Sequence, residues 1–154
     1  MNHTTLVVGI GSPHGDDRVG WEIADAIGRQ TGGSIATRCA RTPAELFDWL
    51  EGVERLDVCD AVSWSANETA AEIGTVHCWR WPADELERTT FRTSHGLSLP
   101  AVLSLAETLG RLPAQVRIWG VSIDAPATFD ALSPALAAAV PGIAQRVCQG
   151  LYHA

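Results

Sequence analysis

Val7-Val8-Gly9-Ile10-Gly11-Ser12-Pro13-His14-Gly15-Asp16-Asp17-Arg18-Val19-Gly20-Trp21 opens as an apolar run, bends through glycines, receives two carboxylates and then takes up helical spacing. That pattern reads as a buried β-strand turning sharply into an α-helix, with Asp16 and Asp17 at the turn. Ligands of open α/β sheets collect at the carboxyl ends of strands, so chemistry is expected first at this turn. The run Leu6 to Ile10 is continuous rather than alternating, as in a strand covered on both faces. From Asp17 to Gln30, Val19, Ile23, Ala24 and Ile27 fall on one helical stripe, and Gly32-Gly33 stops the helix.

Outward from this stretch, Ser34 to Cys39 reads as a second strand. Thr42-Pro43 starts another helix, with Glu45 in its first turn where the dipole favours a carboxylate. Leu56 to Val62 is a third strand that carries Asp60 near its end, and Ser63 to Glu72 is a loop. Ile73 to Trp81 is expected as a fourth strand, followed by a short helical turn before Thr93. Ser98 to Leu109 reads as a helix with Pro100 in its first turn, and Val116 to Ile123 as the last strand. Ser133 to Leu151 is the last helix, with Ser133 as its cap and Pro134 at its first position. Strands alternating with helices predict an α/β fold: a three-layer α/β/α sandwich on a mostly parallel sheet of about five strands, one domain spanning residues 1–154.

The net charge of −7 argues against a nucleic-acid partner, which favours a basic face. All 11 basic residues are arginine, so Schiff-base chemistry and a P-loop lysine are both excluded. Cys39, Cys59, Cys78 and Cys148 are scattered, without a C-x-x-C pair. Met1-Asn2-His3-Thr4-Thr5 leads straight into a strand, and no run reaches the ~18 apolar residues of a membrane span. A reduced, cytoplasmic protein is expected, with no membrane partner.

Three polar residues fall at comparable places. Asp17 follows the first strand, Asp60 closes the third, and His95 precedes a helix in Thr93-Ser94-His95-Gly96. If the strands are parallel neighbours, all three converge on one sheet edge. Two carboxylates and an imidazole form a mixed oxygen/nitrogen set suited to a borderline divalent metal such as nickel, zinc or iron. Each also has a plainer reading: an aspartate at a helix start is commonly a cap, a strand-end carboxylate can bond loop amides, and a lone histidine is commonly structural or exposed. His14, in the first loop, reads as a solvated histidine, with a further metal ligand or a substrate contact as the alternatives. Gly9-Ile10-Gly11 opens like G-x-G-x-x-G, but His14 stands at the third glycine and two carboxylates would crowd the pyrophosphate site. Ser12, Ser94 and Ser98 have no G-x-S-x-G elbow around them, which argues against a serine hydrolase.

At these residues the sequence resembles the hydrogenase maturation proteases, endopeptidases that trim the large subunit of nickel-iron hydrogenases. Their opening motif, G-[IV]-G-N-x-L-x-x-D-[DE]-G-x-G, is matched by Gly9 to Gly20. The strand ending in D-A is similar to Val58-Cys59-Asp60-Ala61-Val62, and the histidine before a leucine-rich helix to Ser94-His95-Gly96-Leu97-Ser98-Leu99. An L-S-P start to the final helix is matched by Leu132-Ser133-Pro134, and a T-P-E-L-like stretch by Thr42-Pro43-Ala44-Glu45-Leu46. The resemblance spans nearly the whole chain in the same order. It implies Asp17, Asp60 and His95 as metal ligands, the same three residues that spacing selects. The first loop is one residue shorter than the motif, which keeps Asp16 as the alternative to Asp17. Ser12 stands in place of asparagine and Arg18 in place of glycine, and Arg18 with His14 points to an altered substrate surface.

The resemblance implies cleavage near the C-terminus of a hydrogenase large-subunit precursor after nickel insertion, with the substrate's nickel recognised by the protease. The metal would polarise the scissile carbonyl or supply the attacking hydroxide. Catalysis would fall to Asp17 together with Asp16, as an orienting group or proton acceptor. Zinc or another divalent ion is the alternative metal, and the chain is expected to act as a monomer. Such a ligand set should lose its metal between about pH 7 and pH 5, where imidazole takes up a proton. Two other readings remain: a checkpoint protein that holds the nickel-loaded precursor without cutting, and a metallohydrolase of a small substrate. Of the six tryptophans, most are expected in the core and Trp64 at a partner surface.

Overall fold

A computed structural model describes residues 4–63, 72–84, 90–91, 96–123 and 131–152. The strands are β1 (Thr5–Ile10), β2 (Ala36–Ala40), β3 (Arg55–Ser63), β4 (Val76–Arg80), β5 (Thr90–Phe91) and β6 (Gln115–Ser122). The helices are α1 (Val19–Gln30), α2 (Leu99–Thr108) and α3 (Pro134–Tyr152). Five strands form one path in the order β2-β1-β3-β6-β4, and the two-residue β5 pairs antiparallel with the end of β3. β1 is parallel to β2 and β3, and β3 is parallel to β6, whereas β4 runs antiparallel to β6.

The continuous apolar runs end up in the middle of the sheet. Val8, Ile10, Val58 and Val62 point to one face, where α2 lays down Leu99, Val102 and Leu103. Val7, Cys59, Ala61 and Val121 point to the other, covered by Ile23 and Ile27 of α1 and Leu136 and Val147 of α3. These are the three layers of the expected α/β/α sandwich.

Several boundaries differ from the sequence expectations, each for a local reason. The helix expected from Asp17 begins at Val19, because Gly15–Arg18 winds into a tighter 3-10 turn first. Its end is as expected, with Gly32 and Gly33 both at positive φ (60 and 80). The helix expected from Thr42-Pro43 is only a 3-10 turn, Pro43–Asp48, started by the Glu45 carboxylate, which accepts the Thr42 N–H at 2.9 Å. Ser98 caps α2 as its sequence suggests, its hydroxyl accepting the Ala101 N–H at 3.2 Å. Ser133 does not cap α3 in that way: its Oγ is buried with no partner among the described residues. The turn expected before Thr93, and Trp64, lie outside the described residues. Of the other tryptophans, Trp79 and Trp119 are core residues. Trp21, Trp49 and Trp81 are half-buried.

One buried polar network was not anticipated. Asp57 is fully buried and accepts from Trp119 Nε1 at 2.9 Å and Arg55 Nε at 3.1 Å, with Arg117 Nε 3.5 Å away. Both guanidinium groups continue to the C-terminal carbonyls of α3, Arg55 to Gly150 and Leu151 and Arg117 to Gly150. Cations there complement the helix dipole. Burial pushes the Asp57 carboxyl above its ordinary range, outweighing the downward pull of the Trp119 bond and the Arg55 charge. A buried pair of this kind adds little net stability, yet breaking it strands its partners. Asp57→Ala is therefore expected to cost about 3–5 kcal/mol in urea unfolding. Because the folded-state pKa lies above the unfolded one, ionisation of Asp57 weakens the fold as pH rises. The wild-type advantage over Asp57→Ala should accordingly be largest at the acid end of a pH series, and the opposite trend would contradict the assignment.

Candidate metal centre

The strand order reverses direction around β1: β2 lies on one side of it and β3 on the other. Such a switch point leaves a crevice beyond the carboxyl ends of the two diverging strands. The register shows where it opens. β1 pairs with β3 only as far as Gly9↔Cys59, but with β2 through Ile10↔Ala40. Gly11 then donates its N–H to the Ala40 carbonyl at 2.9 Å, so the chain leaves β3 at the level of Asp60.

The turn that follows is closed by its own backbone. Ser12 N–H reaches the Asp17 carbonyl at 3.2 Å, and Asp17 N–H reaches the His14 carbonyl at 3.1 Å. Gly15, at φ 54, permits the bend, and the turn packs against β3. Trp21 Nε1 donates to the Ala40 carbonyl at 2.8 Å and ties α1 to the end of β2. Asp17 thereby sits half-buried at the crevice. Asp16, beside it, is buried, and its Oδ1 accepts the backbone N–H of Ser133 at 2.7 Å. Arg18 reaches Glu22 at 3.3 Å, and His14 is exposed.

Asp60 is only 1% exposed and lies three residues before the end of β3. Its Oδ1 accepts the Ala61 N–H at 2.8 Å. Strand alternation puts it on the face shared by Val58 and Val62, the face that α2 covers. The C-terminal end of α2 lies at the amino end of β6, where Glu107 accepts from Trp81 Nε1 at 3.0 Å in a cleft also lined by Val116. α2 therefore begins at the carboxyl edge, and His95 precedes its first residue, Leu99, by four positions. His95 itself lies outside the described residues. Asp17 and Asp60 are thus the two members of the expected triad that the described structure brings to one edge. Among the described residues, no three His, Cys, Asp or Glu side chains meet as a metal site.

Packing accounts for the glycines of the first turn without a dinucleotide. A Cβ on Gly9 would lie 2.0 Å from the Gly20 carbonyl oxygen, and one on Gly11 would lie 2.4 Å from that of Asp17. These glycines serve close approach of α1 and its leading turn to the sheet, not a phosphate. What the edge offers instead is carboxylate oxygen on a rigid strand and on a backbone-locked turn. With an imidazole added, that donor set fits a borderline divalent ion. Sequence reasoning missed the Ser133 amide, because a backbone donor has no residue signature, although the L-S-P motif marks the spot.

The mostly parallel α/β sheet of this chain is a fold shared with solved hydrogenase maturation endopeptidases. The chain superposes on hydrogenase maturating endopeptidase HybD from E. coli with a TM-score of 0.72 and 21% identity, covering 96% of this chain and 91% of that one. The [NiFe] hydrogenase maturation protease HycI from Thermococcus kodakarensis KOD1 gives 0.68 and 19%, over 96% and 91%. The hydrogenase 2 maturation peptidase from Thaumarchaeota archaeon SCGC_AB-539-E09 gives 0.65 and 23%, over 96% and 97%. No protein-family model and no curated relative matches the chain in sequence.

Proposed function

We propose that this chain is an endopeptidase that removes the C-terminal extension of a nickel-iron hydrogenase large-subunit precursor after nickel insertion. One observation supports the reading: the fold is shared, over nine-tenths of both chains, with a hydrogenase maturating endopeptidase, and in it Asp17 follows β1 and Asp60 stands late in the neighbouring parallel strand β3. Asp17, Asp60 and His95 take the substrate's nickel as ligands and so bring the scissile peptide to the crevice. When bound, the metal would polarise the scissile carbonyl or supply the attacking hydroxide. The chain's own part is to hold the two carboxylates on elements that cannot drift, which is where positional precision is converted into rate. The reaction is assigned to the cytoplasm and to the monomer, without a membrane and without nucleic acid, the last in keeping with the net charge of −7.

The test is the mass of a nickel-loaded large-subunit precursor from the same cell before and after incubation with this protein. Loss of one C-terminal peptide is expected, absent without nickel and abolished by Asp17→Asn or His95→Ala. An unchanged mass with nickel-dependent complex formation would instead make the chain a non-cleaving checkpoint.

A further inference from the structure

Asp16 is buried directly beside Asp17, yet one of its oxygens is engaged far along the chain. Its Oδ1 lies 2.7 Å from the backbone N of Ser133, the residue before α3. A charge-assisted bond of that length is among the stronger single contacts a side chain makes. Ser133 contributes through its backbone, since its own hydroxyl, also buried, has no partner among the described residues. The backbone bonds of the Gly15–Arg18 turn itself run to Ser12 and His14, and Arg18 is turned to Glu22 on α1.

We infer that Asp16 is a positioning residue that clamps the start of α3 to the turn carrying Asp17, and so holds Asp17 at the crevice beside Asp60. The clamp gives the Leu132-Ser133-Pro134 stretch its purpose. Pro134 has no N–H to donate, so the last donor before the helix is the Ser133 amide, and Asp16 takes it. Asp16 thus leaves metal ligation to its neighbour. The inference rests on Asp17 being a ligand for its functional consequence, but not for the clamp itself.

The experiment compares wild type with Asp16→Asn, which keeps an acceptor oxygen, and Asp16→Ala, which does not. Two readouts are taken on the chain alone: hydrogen exchange of the Ser133 amide by NMR, and nickel affinity by calorimetric titration with nickel chloride. In Asp16→Ala the Ser133 amide should exchange at least about tenfold faster, the loss of one hydrogen bond. Nickel affinity should fall about 10- to 100-fold, as when a residue orienting a ligand is removed. In Asp16→Asn both should stay within about threefold of wild type, a rescue that neither a ligand nor a proton acceptor would permit. An unchanged Ser133 exchange rate in Asp16→Ala overturns the clamp. So does a loss of nickel affinity in Asp16→Asn with Ser133 still protected, and that variant decides the matter alone if the alanine variant fails to fold. If wild type binds no nickel, the ligand reading fails, while Ser133 exchange still decides the clamp.

Discussion

Asp60→Asn should leave the protein folded and reduce precursor cleavage by about 10³-fold or more. The asparagine has the same shape and can still accept the Ala61 N–H at Oδ1, so the local hydrogen bond at 2.8 Å survives. What disappears is the negative charge, held at 1% exposure on the central strand. A metal's stabilisation of developing charge at a carbonyl is worth several kcal/mol, and about 4 kcal/mol corresponds to about 10³ in rate. Thermal unfolding should move little, because removing a buried carboxylate also removes its desolvation cost. Single-turnover cleavage of the nickel-loaded precursor, with a melting curve on the same sample, separates the two effects. A folded Asp60→Asn variant that cuts at the wild-type rate would remove Asp60 from the site.

Gly20→Ala should cost more than about 4 kcal/mol, at the extreme of single substitutions. A Cβ at this position would stand 2.3 Å from the Ile10 carbonyl oxygen and 2.6 Å from that of Cys59. Both are backbone atoms of central strands, so neither can swing aside as a side-chain tip could. α1 would have to rise off the sheet, pulling Val19 and Ile23 out of a core in which both are fully buried. Gly142→Ala provides the contrast. It lies inside α3 with nothing within 4 Å of the added carbon. Relief of glycine's backbone entropy should there add about 0.5–1 kcal/mol. Urea unfolding of the two variants side by side checks both signs, and equal stability would mean that α1 does not approach the sheet this closely.

The parts of the fold that were legible in the sequence are those that a single local pattern determines. Leu6–Ile10 is an uninterrupted apolar run and Leu56–Val62 is apolar apart from Asp57 and Asp60, because both faces of these strands are covered. The glycines at 9, 11 and 20 marked a tight strand-to-helix turn, although their reason is backbone contact rather than a ligand. Less legible was whatever depends on pairing partners. β4 is antiparallel and β5 is two residues long, and neither has a pattern distinct from a parallel strand or a loop. The buried Asp57 network left a trace that only the register makes readable: Asp57 and Arg117 are direct cross-strand partners on β3 and β6. At the candidate site, Asp17 and Asp60 stand out in the sequence by their places after β1 and late in β3. The engagement of Asp16 with Ser133 does not, because 117 positions separate them and the donor is a main-chain amide.

The most direct test is anomalous diffraction at the nickel edge from crystals soaked in nickel chloride. A single strong peak is expected in the crevice between β1 and β3, with oxygens of Asp17 and Asp60 and a nitrogen of His95 about 2.0–2.2 Å away. An empty crevice, or nickel bound only at His14 or His77, would contradict the metal centre and with it the proposed reaction.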